Sequence, residues 1–218
     1  NRWATRMMQL RFENQGNELI DFACTTNWER HTFDERLDLA GCLFPGSVHA
    51  DDISLIAGGY FSACEVFGDF NMRNAYIAED GVWLDQMKVY GGLRLRGSQI
   101  DGRLEMRNSV IARTTDLSEL LAQNEIWATG CRFMENVTAE YARFASNVSF
   151  NASRFSEGAD FSSCVFEDVV SFQKSRFEGP ASFEGCIFED KLWLTNAFFN
   201  QEARMGEARF RCEINLDG

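Results

Sequence analysis

A repeat of 11 residues runs through most of this chain and restricts the folds that are open to it. Five successive units near the C-terminus read SEGADFSSCVF, EDVVSFQKSRF, EGPASFEGCIF, EDKLWLTNAFF and NQEARMGEARF over 156–210. Sixteen full units can be counted back to Asp34, with one extra residue near Ala78. A single short unit cannot bury a core, so a fixed period of this kind predicts a solenoid of stacked units.

Hydrophobicity within the unit predicts strands. Positions 4, 6, 9 and 11 are apolar or small, and position 6 is apolar in all sixteen units. The pairs 4/6 and 9/11 alternate with period two, which is a strand pattern that a helix cannot satisfy. Each unit therefore supplies two sides of a polygon, and two units, 22 residues, close a four-sided coil. About eight coils stacked roughly 4.8 Å apart would make a rod of about 40 Å.

Like residues recur one coil apart, which supports 22 as the structural period. Cys42 and Cys64 are separated by this distance, and so are Cys164 and Cys186. The chain also has 20 Phe and only 2 Pro, which suits long backbone pairing because Pro removes a ladder hydrogen bond. The pattern predicts a core that includes Phe144, Phe155, Phe161, Phe166, Phe172, Phe177, Phe183 and Phe188.

Short segments of the repeat resemble a known family. SRFSE (153–157), SRFEG (175–179) and GCIFE (185–189) are similar to the five-residue units of pentapeptide-repeat proteins, and the resemblance covers about 34–218. The segment GGLRLRGSQIDGRLEMRNSVI (91–111) is similar to arrays in bacterial repeat proteins. The resemblance implies an all-β, right-handed, parallel, quadrilateral β-helix. The family repeats every five residues, whereas the spacing here alternates between five and six.

The pattern is interrupted at two places. Residues 1–33 are predicted to form a small N-terminal cap, with 34–218 as the β-helix domain. Within the cap, 2–12 could be a short helix that covers the first coil or one that lies on a membrane surface. Unit 112–122 carries Thr115, Asp116 and Glu119, which resemble a helix start. A protruding loop and an irregular coil both remain open there. The resemblance also implies a possible homodimer through a solenoid end.

Catalytic and metal-binding patterns are scarce in this sequence. Seven Cys fit no zinc spacing, and five of them occupy position 9, where reduced, buried thiols are expected. That expectation favours a cytoplasmic protein, although stacked cysteines could also form disulfides. His49 lies near Asp51 and Asp52, either as a solvated side chain or as part of a metal or acid–base cluster. No cofactor and no enzymatic activity are predicted.

Charge indicates candidate binding surfaces. The net charge of −12 makes direct binding to nucleic-acid phosphates a poor hypothesis. The sequence contains no run of about 18 apolar residues, so it predicts no transmembrane helix. Two acidic zones, 34–66 and 134–199, flank a nearly neutral middle. The candidate partner-binding acidic face comprises Asp51, Asp52, Glu167, Asp168, Glu184, Glu189 and Asp190. The candidate basic patch comprises Arg73, Arg94, Arg96 and Arg107.

Three functions are compatible with these features. The first is a non-enzymatic scaffold that binds a protein partner. The second is implied by the resemblance, since some pentapeptide-repeat proteins are acidic rods that imitate duplex DNA and bind DNA gyrase. A chain of this kind would bind gyrase, a topoisomerase or another DNA-binding protein. The third is an enzyme with a site near His49 and Asp52 or at the break over 112–122.

Overall fold

The computed structural model describes residues 25–211 and 214–215, and within these residues every regular element is a two-residue β-strand. The strands form four parallel sheets, named A, B, C and D in the order in which the chain visits them. Each strand pairs with strands of the same sheet in adjacent coils, so that Val137 lies beside Ala159 and Phe155 beside Phe177. The chain is therefore an all-β parallel β-helix with four sides, as the repeat predicted.

Sheets A and C contain the strands that begin at repeat position 4, and the first residue of each strand faces the core. The strands of sheet A are Thr26–Asn27, Val48–His49, Phe70–Asn71, Leu93–Arg94, Thr115–Asp116, Val137–Thr138, Ala159–Asp160, Ala181–Ser182 and Ala203–Arg204. The strands of sheet C are Leu37–Asp38, Gly59–Tyr60, Val82–Trp83, Leu104–Glu105, Ile126–Trp127, Val148–Ser149, Val170–Ser171, Leu192–Trp193 and Ile214–Asn215.

Sheets B and D contain the strands that end at position 11, and their second residue faces the core. The strands of sheet B are Thr32–Phe33, Ser54–Leu55, Tyr76–Ile77, Gln99–Ile100, Leu121–Ala122, Arg143–Phe144, Val165–Phe166, Ile187–Phe188 and Arg209–Phe210. The strands of sheet D are Leu43–Phe44, Glu65–Val66, Lys88–Val89, Val110–Ile111, Arg132–Phe133, Arg154–Phe155, Arg176–Phe177 and Phe198–Phe199.

Two kinds of corner connect the sheets and explain the 11-residue spacing. Four residues lead from A to B and from C to D, whereas three lead from B to C and from D to A. The third residue of each described A-to-B and C-to-D corner has a positive φ, for example 60° at Ser163. The corner closes when the fourth N–H donates to the first carbonyl, as Cys164 does to Phe161 at 3.2 Å. This additional corner residue turns a five-residue side into a six-residue side.

The one irregularity in the spacing lies in a single corner. Residues 78–81 connect sheets B and C with four residues where other B-to-C corners have three. Gly81, with a φ of 78°, donates its N–H to the carbonyl of Ala78 at 2.9 Å and takes up the extra length. The register is preserved on both sides, because Ile77 still pairs with Leu55 and with Ile100.

Stacked aromatic rings fill the C-terminal half of the core. Phe155 stacks on Phe177 with centroids 4.6 Å apart, and Phe177 stacks on Phe199 at the same distance. The eight predicted core residues are at most 1% exposed: Phe144, Phe155, Phe161, Phe166, Phe172, Phe177, Phe183 and Phe188. Aliphatic residues and Met replace Phe at many of these positions in the N-terminal half.

Serine and cysteine at position 9 have the same role in the core. Ser153 donates its hydroxyl to the carbonyl of Ala128 at 2.6 Å, and Cys131, one coil earlier, donates its thiol to the carbonyl of Met106 at 2.7 Å. Burial raises the pKa of the Cys131 thiol to about 12, so it stays protonated and can donate. The five described cysteines are free thiols: Cys42, Cys64, Cys131, Cys164 and Cys186.

The structure settles the question left open over 112–122. Thr115–Asp116 and Leu121–Ala122 pair with the coils on both sides, so the unit is an ordinary coil and no loop protrudes there. The pattern weakens because Thr115 takes an inward apolar position, where its hydroxyl is buried and has no hydrogen-bond partner among the described residues. The helix-start resemblance at this unit was therefore misleading.

The β-helix begins earlier than the repeat indicated. Thr26–Asn27 and Thr32–Phe33 pair with the next coil, although both strands lie in the segment assigned to the cap. Among the described residues, three sheets therefore have nine strands, which makes about nine coils where eight were predicted. The first coil was missed because His31, which is exposed, stands where small core residues are expected. The remainder of the predicted cap, 1–24, lies outside the described residues.

Candidate partner-binding surface

The predicted acidic residues do not form one face. Asp51, Asp52 and Glu184 lie on the corner between sheets A and B, with Glu184 six coils away from the other two. The remaining four lie on the corner between sheets B and C; they are Glu167, Asp168, Glu189 and Asp190. The predicted acidic face is thus divided between two edges of the rod.

Arginines compensate several of these carboxylates. Glu167 forms an ion pair with Arg143 from the adjacent coil. Glu189 accepts hydrogen bonds from Arg211 at 2.9 and 3.0 Å. Asp168 accepts a hydrogen bond from the N–H of the next residue, and Asp190 does the same. The corner between sheets B and C is consequently less negative than its residue types suggest.

The predicted basic residues are also distributed and paired. Arg73 and Arg96 lie on the corner between sheets A and B, Arg94 lies on sheet A, and Arg107 lies on the distant corner between sheets C and D. Each forms an ion pair. The pairs are Arg73 with Asp51 at 2.5 Å, Arg94 with Asp69 at 2.6 Å, Arg96 with Glu119 at 2.5 Å and Arg107 with Glu105 at 3.2 Å.

Asp51 and Arg73 show how predicted acidic and basic residues neutralise each other across coils. Burial tends to raise the pKa of Asp51, but the hydrogen bonds and charge of Arg73 outweigh it and hold that pKa below its ordinary value. Arg73 donates to Asp51 through its backbone N–H at 2.8 Å and through its Nε at 3.0 Å. This part of the rod therefore offers few uncompensated charges to a partner.

A groove opens on sheet A in the C-terminal half of the rod. It has a volume of about 340 Å³ and a mainly apolar lining. The groove exists because the outward residues Thr138 and Ser182 are short. We call it the sheet A groove, and it is lined by Asn136, Val137, Thr138, Gly158, Ala159, Asp160, Pro180, Ala181, Ser182 and Arg204.

An acidic depression adjoins the sheet A groove and shares Asp160 with it. The depression has a volume of about 560 Å³, and it is lined by Glu140, Asp160, Ser162, Ser163, Glu184, Gly185, Gly206 and Glu207. Within the part of the chain that the structure describes, its four carboxylates have no ion pair within 4.0 Å; the nearby Arg204 pairs with Glu202 at 3.0 Å. This surface therefore combines an apolar groove with uncompensated negative charge.

Sequence reasoning identified one member of this depression, Glu184, and missed the other three carboxylates. Glu140 and Glu184 occupy the same corner position two coils apart, so grouping residues by 22-residue columns would have brought them together. Asp160 is the outward residue of its strand and Glu207 has a positive φ of 58°. Nothing in the local sequence around either residue separates it from the other surface acids.

Aromatic residues on sheet C pair with one another. Tyr60 and Trp83 stack with centroids 4.2 Å apart, and Arg36 covers Tyr60 at 4.9 Å. Arg107 covers Trp127 at 5.2 Å in a similar way. Because these rings already have partners within the chain, the row stabilises sheet C, and it is a weaker binding candidate than the sheet A groove.

The two positions considered for catalysis show no assembled site. His49 Nδ1 lies 4.0 Å from Glu29, and its side chain is partly exposed. Between residues 25 and 211, and at 214–215, no group of three or more His, Cys, Asp or Glu side chains is arranged to hold a metal ion. No helix in these same ranges is long and apolar enough to cross a membrane.

The four parallel sheets define the class as a quadrilateral β-helix, and comparison with known families agrees. Residues 161–209 match the family described as pentapeptide repeats (9 copies). Over these residues the chain carries pentapeptide repeats in which alternate corners have one additional residue.

Comparison with single proteins adds little to this assignment. A solved structure of HetL, a pentapeptide repeat protein involved in heterocyst differentiation regulation from the cyanobacterium Nostoc, is similar over 88% of this chain and 92% of its own. The identity is 13% and the TM-score is 0.30, which is too low to support an argument. No curated protein matches the sequence.

Proposed function

We propose that this chain is a non-enzymatic scaffold that binds a protein partner through the sheet A groove. The observation that carries the proposal is the groove itself, an apolar concavity of about 340 Å³ beside four carboxylates that lack ion pairs among the described residues. Elsewhere on the rod, several arginines and acids are engaged with each other across coils. The groove therefore offers a partner both apolar contact and unsatisfied charge.

The β-helix is well suited to hold such a surface in place. The backbone under the groove is paired on both sides, since Ala159 pairs with Val137 and with Ala181. Stacked Phe161 and Phe183 lie beneath it, with centroids 5.4 Å apart. A surface that is already ordered costs little conformational entropy on binding, so more of the contact energy contributes to affinity.

The alternative of an acidic DNA mimic receives less support from the same geometry. A mimic needs rows of uncompensated carboxylates, but Asp51, Glu167 and Glu189 are paired with arginines. Two of the seven acids on the predicted face lie on the opposite end of the rod from the rest. The gyrase supercoiling reaction tests this reading directly. Inhibition at micromolar protein would favour mimicry over the scaffold.

Site-specific photocrosslinking tests the scaffold proposal. A benzoylphenylalanine replaces Ser182 in the groove, and a control chain carries it at the exposed Lys174 on the opposite corner. In cells of the source organism, we expect Ser182 to give a discrete protein adduct that the Lys174 chain does not give. Equal adducts from both positions, or none from Ser182, would reject the groove as the binding surface. The proposal places this scaffold in the cytoplasm and requires no cofactor.

A further inference from the structure

We infer that the occupant of the sheet A groove is an extended, basic segment of the partner protein. The inference rests on the proposed function and adds the chemistry of the partner to it. Three properties of the groove lead to this occupant: its length, its lining and the sign of the charge beside it.

The length of the groove fits a short extended peptide. Its lining comes from four successive coils, represented by Thr138, Asp160, Ser182 and Arg204 on the outside of sheet A. Three steps of roughly 4.8 Å span about 14 Å, which matches about four residues of extended chain at 3.3 Å each. A helix, with its diameter of about 10 Å, is too wide for a volume of about 340 Å³ over that length.

The lining of the groove favours alternating side chains. The lining is mainly apolar and includes Gly158 and the exposed Pro180, so small or branched apolar side chains can pack there. Successive residues of an extended chain point to opposite sides. A segment with apolar residues at every second position would therefore place its remaining side chains toward the rims.

The charge on one rim selects basic side chains. Glu140, Asp160, Glu184 and Glu207 lie on the side of the corner between sheets A and B. Asp160 uses Oδ1 to accept a hydrogen bond from the N–H of Ser162 at 2.9 Å, which fixes the carboxylate in place. Lys or Arg side chains of a partner would be attracted to this rim, whereas acidic segments and nucleic-acid phosphates would be repelled.

The far end of the groove lacks this uncompensated negative charge. Arg204 lines the groove and forms an ion pair with Glu202 at 3.0 Å. A basic side chain is therefore favoured near Asp160 over the end at Arg204. This asymmetry is expected to set the direction in which the segment lies.

Binding of synthetic peptides tests the inference. The probe is a fluorescein-labelled hexapeptide, Lys-Val-Lys-Val-Lys-Val, and its charge-reversed counterpart is Glu-Val-Glu-Val-Glu-Val. Fluorescence anisotropy is measured with the full chain at low and high NaCl. We expect saturable binding of the basic peptide, weakened by salt, and no saturable binding of the acidic one.

Two double variants locate the binding. Asp160→Asn with Glu184→Gln removes two charges beside the groove, and Glu167→Gln with Glu189→Gln removes two charges on the other corner. We expect the first variant to bind the basic peptide with an affinity lower on the order of tenfold, and the second to bind it with nearly unchanged affinity. Thermal unfolding shows whether both variants remain folded. Equal weakening by both variants, or no saturable binding to the unaltered chain, would overturn the inference.

The peptide experiment and the crosslinking experiment test the two proposals separately, so one proposal can fail while the other stands. If the basic peptide does not bind but Ser182 still crosslinks a discrete protein, the scaffold proposal stands and the basic occupant is wrong. If the peptide binds at the groove while Ser182 gives no adduct in cells, the recognition chemistry stands and the cellular role is wrong.

Discussion

At the scale of single residues, the corner position explains why this chain departs from a strict five-residue repeat. The third residue of each described A-to-B and C-to-D corner is left-handed, and this residue lengthens the side from five to six. Glycine occupies four of these corners, whereas thirteen have other residues such as Ala152, Tyr141 and Glu207. The inward positions could be read from hydrophobicity, but the left-handed position could not, because no residue type marks it.

The position-9 hydroxyl gives a prediction at the same scale. Ser153 is buried, donates to the carbonyl of Ala128 and accepts the N–H of Cys131 at 2.9 Å. Ser153→Ala leaves both backbone groups without this partner, so we expect the free energy of unfolding to fall by about 1–3 kcal/mol. Ser153→Cys is expected to lose less stability than Ser153→Ala, because a thiol can make the same donation: Cys131 donates to a carbonyl from the equivalent position. Urea unfolding of the unaltered chain and the two variants measures both effects. A Cys variant less stable than the Ala variant would contradict the shared role of Ser and Cys at position 9.

At the scale of elements, the strands are too short to be stable by themselves, so stability comes from rings and charges that stack between coils. Phe172 stacks on Phe150 with centroids 5.3 Å apart and contacts Phe183 edge-to-face at 5.5 Å. Such contacts can be predicted from sequence, because the inward Phe residues recur at fixed repeat positions in adjacent units. The ion pairs between coils cannot, because they depend on the side of the corner to which each long side chain turns.

Phe172 provides the test of ring stacking. Phe172→Ala is expected to lower the free energy of unfolding by about 3–5 kcal/mol because a cavity forms where the ring was fully buried. Phe172→Asp is expected to prevent folding, since an unpaired charge would replace that ring. Phe198→Ala is the control, because Phe198 is 46% exposed on the outside of sheet D. Circular dichroism and chemical unfolding report the result, and equal losses at Phe172 and Phe198 would argue against the inward assignment.

Two aspartates predict opposite dependences of stability on pH. Burial tends to raise the pKa of Asp51, but Arg73 lowers it overall. Ionised Asp51 therefore stabilises the fold above pH 3.8, and this contribution disappears as pH falls through the lowered pKa. Burial raises the pKa of Asp85, and the charge of Glu105 adds to this, despite a hydrogen bond from the N–H of Arg107. Ionisation of Asp85 therefore lowers the stability of the fold as pH rises from 3.8 through its raised pKa.

Asparagine substitutions separate the two signs. Asp51→Asn is expected to destabilise the protein at pH 7 and to have much less effect at pH 3. Asp85→Asn is expected to stabilise it at pH 7, since Asn can still accept the Arg107 N–H, and to have little effect at pH 3. Urea unfolding at the two pH values measures the differences. Effects of the same sign for both variants at pH 7 would show that the pairing with Arg73 and the burial of Asp85 are misassigned.

At the scale of the whole molecule, the parts that sequence could predict are those that repeat. Four sides, parallel pairing and the Phe columns all follow from the position pattern, since each coil contacts its neighbours in the same way. The sheet A groove could not be predicted, because it arises where short outward residues from adjacent coils, Thr138 and Ser182 among them, lie on the same side of the rod. Grouping surface acids by sequence zones also failed, because one zone of a solenoid covers all four sides.

Coil deletion tests this account of the whole rod. Removing 146–167 joins Ala145 to Asp168 and excises 22 residues. This is the length of one coil, since Val137 pairs with Ala159 and Cys131 contacts Ser153, each 22 residues further along the chain. We expect a folded, shorter rod that loses the stacking of one coil. Removing 146–165 instead excises 20 residues, the coil length of a strict five-residue repeat. That deletion joins Ala145 to Phe166, so a sheet B residue enters a corner and the left-handed corner residues fall out of register.

The shorter deletion is therefore expected to misfold although it removes fewer residues. Circular dichroism, size-exclusion chromatography and thermal unfolding compare the two products. Folding of the 20-residue deletion with failure of the 22-residue deletion would contradict the alternation of five-residue and six-residue sides as the basis of the fold. The comparison is informative because the two products differ by only two residues. A difference in folding between them then reports on register and not on the amount of core removed, since packing within a coil depends on which residue reaches each corner.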